Sequence, residues 1–286
     1  MDKEYFYKVI EDSPNFPKVP SELSSIIEIL QEPKKVNIDE LVEKITVIND
    51  LEEKILLYLN SEIFRLKKKI TSLREGIIYL GMSTMQVIVL ATIIRYIFPS
   101  DNESITKKKK IDYLKHTIGT AIASCAISEY LNEYDKFEIF TQAMLHDIGV
   151  VVIDNCYPEK MEDILTIMRR GNTQIIAEKI ALGGIHHTDV GAWLCDKLNL
   201  PNNIKEVITY HHWPAKQNPD NRLVHIIHAG DYISTRYYEK LVRVNVDYIY
   251  NLNLKNDLNI PETVINEIAL KIPLEVERVY EVIKNL

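Results

Sequence analysis

The sequence predicts an all-α fold arranged as two helical lobes. Three observations carry that expectation: 286 residues hold only 9 glycines, apolar residues recur at spacings of three and four, and strand-like alternation is scarce. The length is enough for one large domain or two lobes with a sizeable core. A polar stretch, "PSDNESITKKKK" from Pro99 to Lys110, is where the lobes should divide, giving an N-terminal helical lobe over 1–104 and a helical bundle with C-terminal helices over 105–286.

The elements follow in order. Ser21 can cap a helix whose Leu23, Ile26, Ile27 and Leu30 share one face, and Ile38, Leu41, Val42 and Ile45 repeat the pattern. "DLEE" (Asp50 to Glu53) and "SLRE" (Ser72 to Glu75) have capping-box spacing, so helices should start at both places. Gly81 follows Leu73, Ile77 and Leu80, where a left-handed residue would end the helix. The most apolar run, Met85 to Phe98, is too short to cross a bilayer and contains Gln86 and Arg95, which makes it a buried helix. Beyond it the helices read as longer, with turns at Gly171-Asn172, Gly183-Gly184, Pro201-Asn202 and Pro214 to Pro219.

Charge and cysteine usage narrow the function. Lys+Arg 34 against Asp+Glu 41 leaves a net charge of −7, which disfavours a nucleic-acid partner. The lysines Lys107 to Lys110, beside Asp101, Asn102 and Glu103, read as a solvated linker. Cys125, Cys156 and Cys195 are odd in number and form no CxxC, so a reducing compartment is expected rather than a disulfide framework or zinc ribbon. The start, "MDKEYFYKVIEDSPNF", is acidic and polar and lacks an apolar signal core, so the protein is expected to be cytoplasmic, with no membrane partner.

All eight histidines fall between His116 and His228. They occur in "YLKHTIG", "AMLHDIG", "GIHHTDVGAWL", "TYHHWP" and "HIIHAGDYIS", each on or beside an expected helix. Imidazoles on separate helices, joined by Asp147 and Asp231, suit one or two transition-metal ions in a bundle core, with iron, manganese or zinc the matching metals. The polar pair His146-Asp147 inside an apolar run needs such a partner, because a buried carboxylate costs several kcal/mol unless it is paired or bound to metal. Placed together on one helix, the two side chains would diverge by about 100° and reach toward a shared ion or toward two ions. A cluster of hydrogen-bonded imidazoles and carboxylates without metal is the competing arrangement. His225 reads as a core histidine, and His186 diverges from its neighbour His187. Trp193 and Trp213 read as packing residues, and the three cysteines as small hydrophobes.

With these residues in view, the chain resembles the HDOD family, the HD-related output domain of bacterial signalling proteins. In the first half the resemblance rests on "FPKVPSELSSIIEIL", "LLYLNSEIF" and "ITSLREGIIYLGM". In the second it rests on "LKHT", "AMLHDIG", "HHTDVGAWL", "ITYHH" and "HAGD", in that order. That second half is also similar to the HD-GYP cyclic-di-GMP phosphodiesterases, which implies an HD-like C-terminal bundle. The metal positions of those enzymes fall on His116, His146, Asp147, His187 with Gly191 four residues on, His211, His212 and Asp231, implying a mono- or binuclear centre.

Two departures oppose catalysis. Val150 stands where the phosphodiesterases carry a phosphate-binding lysine, and "WPAKQNPDN" after the double histidine has neither an adjacent glutamate nor Gly-Tyr-Pro. The resemblance therefore implies a non-catalytic regulatory module that binds a signalling protein. The alternative is a metal-dependent phosphohydrolase acting on a nucleotide or cyclic dinucleotide, with Asp147 orienting a metal-activated water. The N-terminal "NSEIF" and "LREGIIYLGM" segments, which carry no chemistry of their own, are where the partner surface is expected.

Overall fold

The computed structural model describes every residue except 1, 18–19, 21, 32–36, 61–67, 83–84, 86–87, 91, 94–105, 135, 215–220, 243–257 and 284–286. The described residues form helices and no strand. In the first half these are α1 (Lys3–Glu11), α2 (Glu22–Gln31), α3 (Ile38–Val47), α4 (Leu51–Leu59) and α5 (Leu73–Leu80). The second half holds α6 (Thr106–Leu131), α7 (Lys136–Leu145), α8 (Ile148–Cys156), α9 (Pro158–Met168), α10 (Gln174–Leu182), α11 (His187–Leu198), α12 (Asn202–Tyr210), α13 (Arg222–Val242) and α14 (Glu262–Ile283).

Local chemistry sets the helix starts. Ser72 caps α5 by accepting from the Glu75 amide, while the Glu75 carboxylate returns to the Thr71 amide. Asn37 and Thr173 cap α3 and α10 in the same way. At Asp50 the expected capping box fails: α4 does begin at Leu51, but Asp50 has φ 63°, not the extended conformation an N-cap requires. Gly81 ends α5 with φ 82°. The proposed cap at Ser21, the Pro214 to Pro219 turn beyond Pro214 and the boundary between 104 and 105 lie outside the described residues. Lys107 to Lys110 are not linker: they belong to the first turn and a half of α6, where helix propensity of lysine carries the chain.

The apolar stripes are buried as their spacing requires. Leu23, Ile26, Ile27 and Leu30 of α2 are shielded from solvent, as are Leu41 and Ile45 of α3, and each fully buried aliphatic side chain contributes about 1.5–3 kcal/mol. Met85, Ile88, Val89, Leu90 and Ile93 of the Met85 to Phe98 run are buried too. No helix among the described residues is long and apolar enough to cross a membrane.

Helix α6 is the spine, with α13, α7 and α14 packed along it. The crossing with α13 is close at Gly230, where a β-carbon would lie 2.1 Å from Ser124 Oγ and 2.8 Å from the Thr120 carbonyl. This approach brings α13, which carries Asp231, against the helix that carries His116. The Ser234 hydroxyl fixes the register by donating to the His116 carbonyl at 2.7 Å. A second packing unit joins α8, α11 and α12, and α1 leans on it through Phe6 against Tyr157 and Tyr7 against Trp193.

Candidate metal centre

His146 and Asp147 occupy the turn between α7 and α8, so they do not share a helix as their sequence adjacency suggested. Asp147 has φ −105° and ψ 18°, in the sparsely populated bridge region. The break has a packing cause. Leu145 and Ile148 on either side are both buried, and α8 must leave in a new direction to set Gly149 beneath α11.

Around this turn the fold brings together all seven residues singled out from sequence. His116, His146 and Asp231 form one group, and Asp147, His187, His211 and His212 form another; within each group the candidate ligand atoms lie within 4.8 Å of one another. The Asp147 carboxylate faces both. Its Oδ2 is 3.5 Å from His116 Nε2 and 3.4 Å from His146 Nε2, while its Oδ1 is 3.2 Å from His187 Nε2 and 3.3 Å from His211 Nε2. Asp231 Oδ1 closes the first group at 3.4 Å from His116 Nε2, and His212 Nε2 closes the second at 3.0 Å from His187 Nε2.

The outer faces of the rings are already engaged. His146 Nδ1–H donates to the Ala143 carbonyl at 2.7 Å and His211 Nδ1–H to the Ile208 carbonyl at 3.0 Å. His228 Nδ1–H donates to the His211 carbonyl at 2.5 Å, and Thr235 donates to Asp231 Oδ1 at 2.9 Å. These contacts leave the Nε2 atoms of His146 and His211 aimed inward. Those two atoms, Asp147 Oδ1 and His212 Nδ1 are buried without a hydrogen-bond partner among the described residues. Buried polar atoms seldom stay unsatisfied, so a cluster of them on converging side chains is the mark of a place for an ion. The spacing agrees, because ligands at about 2.0–2.2 Å from a common ion sit about 3.0–3.5 Å from each other. The residues therefore fit one or two divalent transition metals.

Electrostatics sharpen the inward-facing chemistry. Burial pushes the His146 imidazole down to about 4, against the pull of Asp147 and Asp231. Burial and the neighbouring His211 and His187 hold His212 well below the ordinary range. Burial alone would raise the Asp147 carboxyl, yet His146, His187 and the hydrogen bond from His116 keep it well below the usual carboxylate range. His187 moves the other way: burial disfavours its charge, but Glu178 and Asp147 on either side raise it well above the ordinary imidazole value.

Two of the remaining histidines stand apart. His186 caps the approach to α11, with Nδ1 2.7 Å from the Thr188 hydroxyl, and His225 is buried outside both groups. Trp193 packs between Tyr7 and Phe16, and Trp213 lies against His186. Cys156 and Cys195 are buried free thiols and Cys125 is half-buried.

Sequence reasoning missed Glu178. This glutamate of α10 is fully shielded, and its Oε2 accepts from His187 Nδ1 at 2.8 Å and from the His187 amide at 2.9 Å. Gln174 donates to its Oε1 at 2.9 Å. The only trace in the sequence is the i, i+4 pairing of Gln174 with Glu178. That trace is masked by Ile176 and Ile180, which look like the core face yet are exposed.

Comparison with known proteins places these features in context. The HDOD domain family matches residues 16–214. An uncharacterised protein of Treponema pallidum (strain Nichols) is 21% identical over 198 residues, 69% of this chain and 38% of that protein, so the chain spans well under half of that curated relative. Two solved structures share the fold. A proposed phosphohydrolase from Shewanella amazonensis SB2B aligns with TM-score 0.69 and 18% identity, over 99% of this chain and 97% of the other. A proposed signal transduction protein from Marinobacter aquaeolei VT8 aligns with TM-score 0.72 and 14% identity, over 99% of this chain and 65% of the other.

Proposed function

Because the chain belongs to the HDOD family, we propose that it is a regulatory signalling module whose HD-type centre holds one or two divalent ions, of iron, manganese or zinc, and whose N-terminal helices meet a protein partner. The observation that supports the metal is the Asp147 carboxylate, whose two oxygens face separate imidazole groups while buried nitrogens on both sides lack partners. On this reading His116, His146, Asp147 and Asp231 hold one ion, and Asp147, His187, His211 and His212 the other. Partner binding is supported by large apolar side chains left exposed on the first half: Val47, Leu57, Ile78 and Tyr79.

A second reading, a metal-dependent phosphohydrolase, is supported by the complete donor set and by the fold shared with the Shewanella protein. A divalent ion in such a centre supplies Lewis-acid chemistry, polarising a phosphoryl oxygen and activating water. The chain's own residues argue for regulation instead. Val150, one residue beyond Gly149, packs against the apolar core and offers a phosphate no cationic contact.

One experiment tests both readings: elemental analysis of untagged protein purified without chelator, with hydrolysis of bis-p-nitrophenyl phosphate followed in parallel. We expect one to two equivalents of iron, manganese or zinc in the parent, under about a tenth of an equivalent in Asp147→Ala, and no hydrolysis that Asp147→Ala abolishes. No metal in the parent, even after reconstitution, would overturn the centre. Turnover lost in the variant would favour the phosphohydrolase.

A further inference from the structure

Three rings of the centre are steadied from behind, and they differ in what steadies them. Behind His146 stands the Ala143 carbonyl, and behind His211 the carbonyls of Val207 and Ile208. Behind His187 stands a carboxylate. Glu178 grips both Nδ1 and the main-chain amide of His187, and Gln174 holds its other oxygen. No exposed surface explains this glutamate, since it is fully shielded from solvent and an ionised carboxylate there must be offset by a partner.

The two groups also differ in charge. The first has a carboxylate of its own in Asp231, whereas the second has three imidazoles and only the shared Asp147. Glu178 makes up the difference one bond layer out. Acting through the His187 ring, it fixes the Nδ1–H tautomer, turns Nε2 toward Asp147 Oδ1 at 3.2 Å, and adds electron density to that nitrogen.

We propose that Glu178 is a positioning residue that equips the Asp147, His187, His211 and His212 group to hold its own ion, so that the centre is binuclear rather than mononuclear. This rests on the metal reading above. It assigns Glu178 a role that neither the histidine pattern nor the order of motifs marks. Carboxylates placed behind metal-binding imidazoles typically alter affinity by about 10–100-fold.

The test is titration of the metal-free full chain with Mn(II), read by equilibrium binding and by electron paramagnetic resonance. The parent should bind two ions and give the spectrum of an exchange-coupled pair. Glu178→Gln keeps the shape but removes the charge and sets an amide against the His187 amide. It should bind the first ion as the parent does, bind the second about 10–100-fold more weakly, and show the six-line spectrum of isolated Mn(II). Two parent-like equivalents with a coupled spectrum in the variant would overturn the role of Glu178 while leaving the metal reading intact. If the parent itself takes up no Mn(II), the metal reading falls and Glu178 with it. Should Glu178→Gln lose its helical circular dichroism, Glu178→Asp decides in its place. That variant keeps the charge but withdraws it from the ring, and it should weaken the second equivalent; parent-like binding would overturn the proposal.

Discussion

Gly149 lies directly against the main chain of His187: a β-carbon on Gly149 would sit 1.9 Å from the His187 carbonyl oxygen and 2.8 Å from the Gly191 amide. Both obstacles are backbone, so neither can swing aside. Gly149→Ala must therefore push α11 from α8 and carry His187 away from Asp147. Overpacking of this kind costs about 3 kcal/mol, or roughly 5–10 °C in melting temperature for a chain of this size. Thermal denaturation with metal analysis checks it; an unchanged melt and unchanged metal content would contradict the packing.

Asp147 and Asp231 should differ in what their loss does. Asp147 faces both groups, so Asp147→Ala should strip the protein of all bound metal, whereas Asp231→Ala should leave the ion held by Asp147, His187, His211 and His212. Inductively coupled plasma measurements on the two variants give the count. Equal retention in both would refute the shared role of Asp147.

Cyclic-di-GMP should survive incubation with metal-loaded protein. Val150 supplies no charge to a phosphate, and its side chain is committed to apolar packing. Chromatography for the linear dinucleotide is the check, and steady product formation absent from Asp147→Ala would reverse the expectation.

The thiols should react in a fixed order. Burial pushes Cys156 up to about 11 and Cys195, with the charge of Asp196 adding to burial, up to about 12, from an ordinary value of 9.0. A raised pKa means less thiolate at any pH below it, so near pH 8 the nucleophilic form is depleted about 100-fold at Cys156 and about 1,000-fold at Cys195. Half-buried Cys125 should be alkylated first. For the other two the rate should climb about tenfold per pH unit up to pH 10, which mass spectrometry of iodoacetamide-treated native protein will reveal.

Leu57 and Ile78 are 75% and 76% exposed, so replacing either with glutamate should leave stability within about 0.5 kcal/mol. The same changes should abolish partner capture if the first half carries the interface. Variants that still retain the full complement of bound partner would move the interface elsewhere.

Much of this was legible in the residues because the strongest signals were chemical. The seven ligand candidates come from five separate segments, yet residue type alone marked them, since histidine and aspartate in apolar surroundings demand partners. Apolar periodicity was equally faithful for α2 and α3. It failed where tertiary packing overrules local pattern. Asp50 takes a left-handed conformation despite its capping-box spacing, and His146 and Asp147 leave the helix because Gly149 must reach α11. Glu178 was illegible for a related reason: α10 turns its charged residue inward and Ile180 outward, the reverse of what amphipathic spacing suggests.

The long-range docking of α1 sets a schedule for synthesis. Lys197 pairs with Glu11 across 186 residues, and the Ser24 hydroxyl donates to the Asn199 carbonyl across 175. Until α8 and the stretch beyond it have left the ribosome, Phe6 and Ile10, both wholly covered in the finished protein, lack the surface they rest on. At about 5–20 residues per second the wait lasts on the order of 10–40 s. Burial of α1 is therefore a closing step of folding, since no contact made within the first half can cover Phe6 against Tyr157.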